Sequence, residues 1–226
     1  MMRVVLVEPE YEGNLGLVAR VCKNFGIKEL VLVNPKADPL RKEALIRAVH
    51  AKELLENAVV VESLEEAVKG TSYVVGTTAK TACEYNVNRS HVMPWELKRV
   101  KGMALVLGRE SSGLTNKELA SCDVLVHIPT SPKYKTMNIS HALAVLLYEL
   151  SRKEERRGAG RELLAQLGRF WSAILDELGY TEKKEVQMRI FRRVLGKASP
   201  TPREAHGMAG VLHRVLKRIK NLKRDG

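Results

Sequence analysis

The feature that most constrains the fold is a recurrence of short, valine-rich apolar runs through the first 150 residues: RVVLV (3–7), ELVLV (29–33), AVVV (58–61), SYVVG (72–76), MALVL (103–107) and DVLVHI (123–128). Each run is apolar almost throughout. A strand with one wet face would alternate, so near-continuous runs read as strands covered on both faces, the pattern of a parallel sheet. Between them lie helical patterns with legible ends. Asn14 opens one and Gly26 closes it; Ser63 with Glu66 forms a capping box, and Gly70 ends that helix. The last, NISHALAVLLYEL (138–150), follows a loop carrying Pro129 and Pro132. The expected fold class is therefore α/β, a parallel sheet flanked by helices, in which ligands gather at the carboxyl ends of the strands.

Beyond this region the pattern changes. SRKEERRGAG (151–160) reads as a charged extension of the last helix running into a flexible joint, and only helical patterns follow, over 161–178, 182–195 and 202–222. Gly196 is expected to close the second of these, and Thr201 with Pro202 to open the third. The division predicted is an α/β domain over 1–155, expected to fold without the tail, and a small, all-helical, basic domain over 156–226. Charge separates the two: residues 1–150 hold 19 Lys and Arg against 17 Asp and Glu, whereas residues 151–226 hold 19 against 9. So lopsided a segment points to a polyanionic partner, nucleic acid first and an anionic membrane surface second. Arg189, Arg192 and Arg193 fall on one helix face and Val186, Ile190 and Val194 on another. That predicts a packed helix with a basic stripe outward, touching phosphates without reading base sequence.

Several classes are excluded. No run of about 18 apolar residues is present, and MMRVVLVEPEYEG turns acidic too early for a secretory signal, which predicts a cytoplasmic protein. Cys22, Cys83 and Cys122 are odd in number, with no C-x-x-C pair and no histidine at ligand spacing, so neither structural zinc nor a disulfide framework is expected. Cys22 and Cys122 sit in apolar helical patterns, as small buried hydrophobes do.

GRESSGLT (108–115) has the spacing of a phosphate-binding P-loop, but Leu114 stands where the lysine belongs and Glu110 would put negative charge among the phosphates. The turn after the first strand, EPEYEGNLG, lacks the G-x-G-x-x-G of dinucleotide-binding folds and of the common Rossmann-type methyltransferases. Ligand binding is therefore expected late in the domain, where GTTAK (76–80), GRESSG (108–113) and IPTSPKYKTMN (128–138) follow three strands. Small residues, hydroxyls, main-chain amides and one acid suit a neutral or cationic ligand better than a polyphosphate.

These segments carry a resemblance. GNLGLVARVCKNFG, LVLGRESSGLTNKEL and IPTSPKYKTMNISHALAVLLYEL resemble the three motifs of the SPOUT superfamily of S-adenosylmethionine-dependent RNA methyltransferases. VLVEPEYEGNLGLVARV, LVNP and VVGTTA, together with the basic helical tail, are similar to its TrmJ type, which methylates the ribose 2′-hydroxyl at position 32 of the tRNA anticodon loop. The match covers residues 1–150 and is looser over 160–226. It implies a deep trefoil knot, which general rules of chain connection would exclude. By likeness, Thr77, Thr78, Ala79, Gly108, Ile128, Thr136, Met137 and Asn138 hold the cofactor, with Thr136-Met137-Asn138 standing where the family more often has Ser-Leu-Asn.

The resemblance also marks Arg20, Asn14 and Glu110 as catalytic residues. Family proposals make the arginine a general base, but a guanidinium keeps its proton, so anchoring a substrate phosphate and stabilising the developing alkoxide is the preferred role. Gly16, four residues before Arg20, is expected to leave that helix face uncrowded. Asn14 either orients the ribose or caps its helix, and Glu110 orients either Arg20 or polar atoms of the cofactor. The family forms a homodimer through the first and last helices of the α/β domain, which would set Arg20 against a cofactor held by the other subunit; no metal and no membrane partner are expected. The rival readings are the same chemistry on ribosomal RNA and a non-enzymatic RNA-binding protein, the second disfavoured by the presence of Asn14, Arg20, Glu110 and Asn138 together.

Overall fold

The computed structural model describes residues 2–79, 91–154 and 158–222; Lys80, Cys83 and the expected boundary at 155/156 lie outside them. Seven parallel strands form one sheet in the order β3-β2-β1-β6-β4-β7-β5. They are β1 (Arg3–Val7), β2 (Glu29–Val33), β3 (Val59–Val61), β4 (Tyr73–Thr77), β5 (His91–Val92), β6 (Met103–Leu107) and β7 (Val124–Val126). Six were legible as apolar runs. The seventh, β5, has only two residues and no pattern to read. β1, β4, β6 and β7 are apolar on both faces because both faces are covered. The edge strand β3 departs from that expectation, with Val59 and Val60 each 56% exposed.

Successive residues along each strand feed opposite layers. Val4, Leu6, Leu30, Leu32, Leu105 and Leu107 pack under α1 (Glu12–Asn24), α2 (Lys42–Ala48), α3 (Lys52–Glu56) and α6 (Ile139–Ser151). Val5, Val7, Val31, Val33, Ala104 and Val106 pack under α4 (Leu64–Ala67) and α5 (Asn116–Ala120). Each of these valines and leucines contributes about 1.5–3 kcal/mol by leaving water. Ser63 caps α4 as expected, its side chain accepting from Glu66 N. Gly16 does not leave open space: a Cβ there would lie 2.3 Å from the Ala44 carbonyl and 2.6 Å from Arg47 Cβ, so the glycine exists to let α2 cross α1 at backbone distance.

The tail forms α7 (Arg161–Glu177), α8 (Lys184–Ala198) and α9 (Pro202–Leu222), close to the predicted spans. Leu167, Leu195, Ala205 and Ala209 make a small core of its own, and Trp171 stacks on Phe191 at 5.1 Å. Thr201 caps α9 with Glu204, as Thr-Pro predicted. Gly196 does not close α8; the helix runs on to Ala198 and ends at Ser199 in a left-handed conformation. Gly196 serves close approach instead, because a Cβ would fall 1.9 Å from the Asp123 carbonyl oxygen.

That approach inverts the predicted faces of α8. Arg193 is buried, 8% exposed, and donates to the carbonyls of Cys122 and Leu119 at 3.1 and 2.9 Å, closing the carboxyl end of α5 where a cation is favoured. Val186, Ile190 and Val194, predicted as the packed face, are exposed, and so are Arg189 and Arg192. Tyr73 Oη adds a buried hydrogen bond to Gly196 O at 2.6 Å. The tail is thus docked on the α/β region through α8, and removing it would strip partners from Tyr73 and from the end of α5.

Two glycine substitutions test this docking. Gly196→Ala should destabilise the protein by about 1–3 kcal/mol, because the methyl meets backbone that cannot move aside. Gly210→Ala, in α9, meets nothing within 4 Å and should stabilise by about 0.5–1 kcal/mol. Chemical denaturation of both variants checks the pair; equal effects would remove the close approach as the reason for Gly196.

Candidate active site

The sheet order brings together the three late loops. β6, β4 and β7 are neighbours, so Gly108 after β6, Thr77 and Thr78 at the end of β4, and His127 and Ile128 after β7 stand side by side at the carboxyl end of the sheet. Thr78 N donates to Val126 O at 3.0 Å. The buried His127 ring adds a contact, its Nδ1 lying 3.0 Å from the Thr78 carbonyl. Gly108 is required where the loop doubles back: a Cβ would fall 2.3 Å from the carbonyl carbon of Gly113, which itself turns with φ +72°.

Asn14 joins two of these segments to the first helix. α1 begins at Glu12 with Tyr11 as its N-cap, so Asn14 is inside the first turn and does not cap it. Its Nδ2 instead donates to Glu110 Oε1 at 2.9 Å, and its Oδ1 accepts from Asn138 Nδ2 at 2.9 Å. Asn138 caps α6, its Oδ1 accepting from Ser140 N and Oγ at 2.9 and 2.7 Å. Glu110 Oε2 accepts from Glu10 N at 3.0 Å. Three of the predicted residues, 14, 110 and 138, are therefore one hydrogen-bonded unit drawn from three distant stretches of chain.

The other predicted residues divide. Thr77, Thr78 and Ile128 are half-buried; Ala79, Thr136 and Met137 are exposed. Arg20 is exposed near the far end of α1 and has no polar partner among the described residues, so the chain does not bring it into the Glu110–Asn14–Asn138 unit. Of the tail arginines, Arg193 is committed to α5 and is removed from the set facing solvent. A cleft of about 680 Å³ opens elsewhere, at the amino ends of β4 and β6, lined by Ser72, Lys101, Gln166, Arg169 and His206; it belongs to the junction with the tail and not to the loops.

Reading the sequence missed a second network in the same loop. Arg109, 12% exposed at its side chain, donates to Glu8 at 2.5 Å and to both oxygens of Glu118 at 3.0 and 3.1 Å. Glu118 in turn completes a capping box with Thr115. TNKE (115–118) is a legible capping signature, and it was the available signal. The Arg109 guanidinium holds the Glu8 carboxyl below the usual carboxylate range. Burial pushes Glu118 up, but hydrogen bonds from Arg109 and Thr115 outweigh it and the net shift is downward. Burial pushes the thiols of Cys22 and Cys122 up to about 12, as suits packed cysteines.

The parallel sheet, with Thr78, Gly108 and Ile128 gathered at its carboxyl end, defines an α/β protein, and comparison gives it a family: the chain belongs to the SpoU rRNA methylase family, whose model matches residues 1–148. It is 40% identical, over 91% of its length and 95% of the relative's, to the tRNA (cytidine-2′-O-)-methyltransferase TrmJ of Methanocaldococcus jannaschii. It is 32% identical to the tRNA (cytidine/uridine-2′-O-)-methyltransferase TrmJ of Pectobacterium atrosepticum, over 96% and 97%. Among solved structures it resembles TrmJ from Z. mobilis at 25% identity and a TM-score of 0.69, covering 95% of this chain and 99% of that one.

The depressed carboxylates make a pH prediction. A lowered folded value contributes stability that is fully present above the unfolded value, about 4.3 for glutamate, and is lost as pH falls through the folded value. The contribution of Glu8 and Glu118 should hold from neutral pH to about 4.5 and be lost below it. Glu118→Gln should be less stable at pH 7 and lose less on acidification, which a series of melting curves would detect.

Proposed function

We propose that this protein transfers the methyl group of S-adenosylmethionine to the ribose 2′-hydroxyl of a tRNA anticodon-loop nucleotide, cytidine at position 32. The observation that carries the reading is the unit Glu110–Asn14–Asn138, which ties the loop after β6, the first helix and the start of α6 into one polar surface beside the late loops. The name of the 40% identical relative supports tRNA and cytidine; ribosomal RNA is the second reading, favoured only by the description of the family model.

The residues present fit the donor. Hydroxyls of Thr77, Thr78 and Thr136, main-chain groups around Gly108 and Ile128, and the apolar Met137 suit an adenosyl group, while Glu110 and the absence of a loop lysine disfavour a polyphosphate. The donor, when bound, supplies an electrophilic methyl. Asn14 orients the substrate ribose, Asn138 holds the cofactor and ties it to Asn14, Glu110 holds Asn14, and Arg20 anchors a substrate phosphate and stabilises the alkoxide as it forms. The proton leaves by a route in which the guanidinium stays charged.

The same reading makes the loops 77–79, 108–113 and 128–138 a trefoil-knotted cradle and the active form a homodimer. The exposure of Arg20 away from the polar unit of its own chain supports an arrangement in which it faces the partner's cofactor loops. Residues 1–155 form the methyltransferase domain and residues 156–226 the RNA-binding domain. In the tail, Arg189 and Arg192 remain surface candidates for phosphate binding. α9 adds a better one: Arg203, Arg214, Lys217 and Arg218 are exposed on one face, and residues 205–222 hold no acid.

Incubation with labelled donor and separate tRNA and rRNA transcripts, followed by mapping of the modified nucleotide, tests the reaction; label in rRNA alone would overturn the substrate. Arg20→Ala should abolish transfer yet leave donor affinity unchanged in calorimetry. S-adenosylmethionine at one hundred times its Kd should stabilise the protein by about 2.7 kcal/mol, and ATP should not. Arg214, Lys217 and Arg218 changed together to Gln should weaken tRNA binding and flatten the plot of log affinity against log salt by about 0.7–0.9 for each phosphate no longer neutralised; an unchanged slope would move the RNA off α9.

A further inference from the structure

Glu8, Glu10, Glu110 and Glu118 crowd the junction of the loops after β1 and β6, and the only cations facing them among the described residues are Arg109 and Lys36. Lys36 is peripheral, 3.5 Å from Glu8 and 3.6 Å from Glu10, and half of its side chain is in water. Arg109 is central. Its Nη2 lies between Glu8 Oε1 and Glu118 Oε1, and its Nη1 also reaches the carbonyl of Gly113 at 3.2 Å, the residue where the loop turns back. One planar guanidinium thus holds the end of β1, the start of the loop, its far limb and α5.

The backbone on either side is set to meet it. Glu8 is a non-glycine residue at φ +44°, an uncommon conformation that persists only where surroundings impose it. Here Glu8 N donates to Val33 O at 2.8 Å. Across the loop, Gly113 N donates to Arg109 O at 2.9 Å. The next residues lace the same two loops in both directions: Ser111 N and Oγ donate to the Glu10 carboxylate at 2.9 Å, and Glu10 N donates back to Glu110. The position of Glu110, and through it Asn14, follows from where Arg109 is pinned.

We propose that Arg109, clamped by Glu8 and Glu118, is a positioning residue for methyl transfer, fixing the loop 108–114 so that Glu110 reaches Asn14. It touches no substrate. The inference rests on the reading of this loop as part of the donor site.

The clamp has a signature that a packing role lacks. Without the guanidinium, Glu8 keeps only the peripheral Lys36 and Glu118 only the Thr115 amide, the two carboxylates face each other with no charge between them, and one of them takes up a proton more readily than a lone carboxylate. Arg109→Gln should therefore raise the Kd for S-adenosylmethionine and lower kcat by about 10²-fold at pH 8, the scale of a misplacement of about 1 Å. Both defects should shrink as pH falls toward about 5.5, and adding Glu118→Gln should relieve them at pH 8 by removing the repulsion. Arg109→Lys keeps the charge and loses the fork, so kcat should fall without any rescue by acid. Calorimetry and steady-state kinetics across this pH range, with melting curves to confirm folding, measure all of this. Defects equal at every pH and unrelieved by Glu118→Gln overturn the proposal, as does wild-type kcat in either Arg109 variant. Should Arg109→Gln fail to fold, Arg109→Lys decides by the same kcat criterion. If the wild-type protein itself does not bind the donor, the reading of the site fails first, which is a distinguishable result.

Discussion

The side-chain amide of Asn14 is the interaction on which the arrangement of the site depends. It is donor to Glu110 and acceptor from Asn138, so both of its polar ends are used, and each partner is tied down in turn by backbone. Aspartate would lose the donor, leucine both bonds. Each such hydrogen bond contributes about 0.5–1.5 kcal/mol net, and together they hold the three segments in register. Because the partners come from the loop after β6 and the cap of α6, the hydrogen bonds also fix how those segments sit relative to the strands β4 and β7, where the remaining candidate ligands lie.

Much of the fold was legible because burial on two faces leaves a plain mark: RVVLV and MALVL have almost no polar residue to confuse the reading. β5 left no mark because two residues carry no period. The faces of α8 were misread for a different reason. The helix carries an apolar stripe at 186, 190 and 194 and a glycine at 196, and periodicity favours the stripe; backbone proximity at Gly196 favours the other side, and the structure takes it. An arginine at 193 looks like surface until the carbonyls of Leu119 and Cys122 are seen above it.

The site was legible only in part, and mostly through likeness to a family. Asn14 read as a possible cap because Asn before an apolar run is a capping signal, and no local pattern discloses partners 96 and 124 positions away. Arg109 went unnoticed beside Glu110 for the same reason: its meaning lies in Glu8, 101 positions earlier. Arg20 is the converse. Among the described residues it has no polar partner, and its role is argued from chemistry and the proposed second subunit.

The strand order has a consequence for how the molecule is made. β1 sits between β2 and β6, and the strand that closes its second edge emerges about a hundred residues after it. A chain leaving the ribosome can pair β1, β2 and β3 early, but the opposite edge of β1 stays open until Leu107 is out, and Asn14 has no second partner before Asn138. Pairings this remote in sequence must overcome loop-closure entropy before they contribute, which slows folding and lengthens exposure of unpaired edges. Synthesis therefore passes through a long interval in which half a sheet exists and nothing resembling the site does.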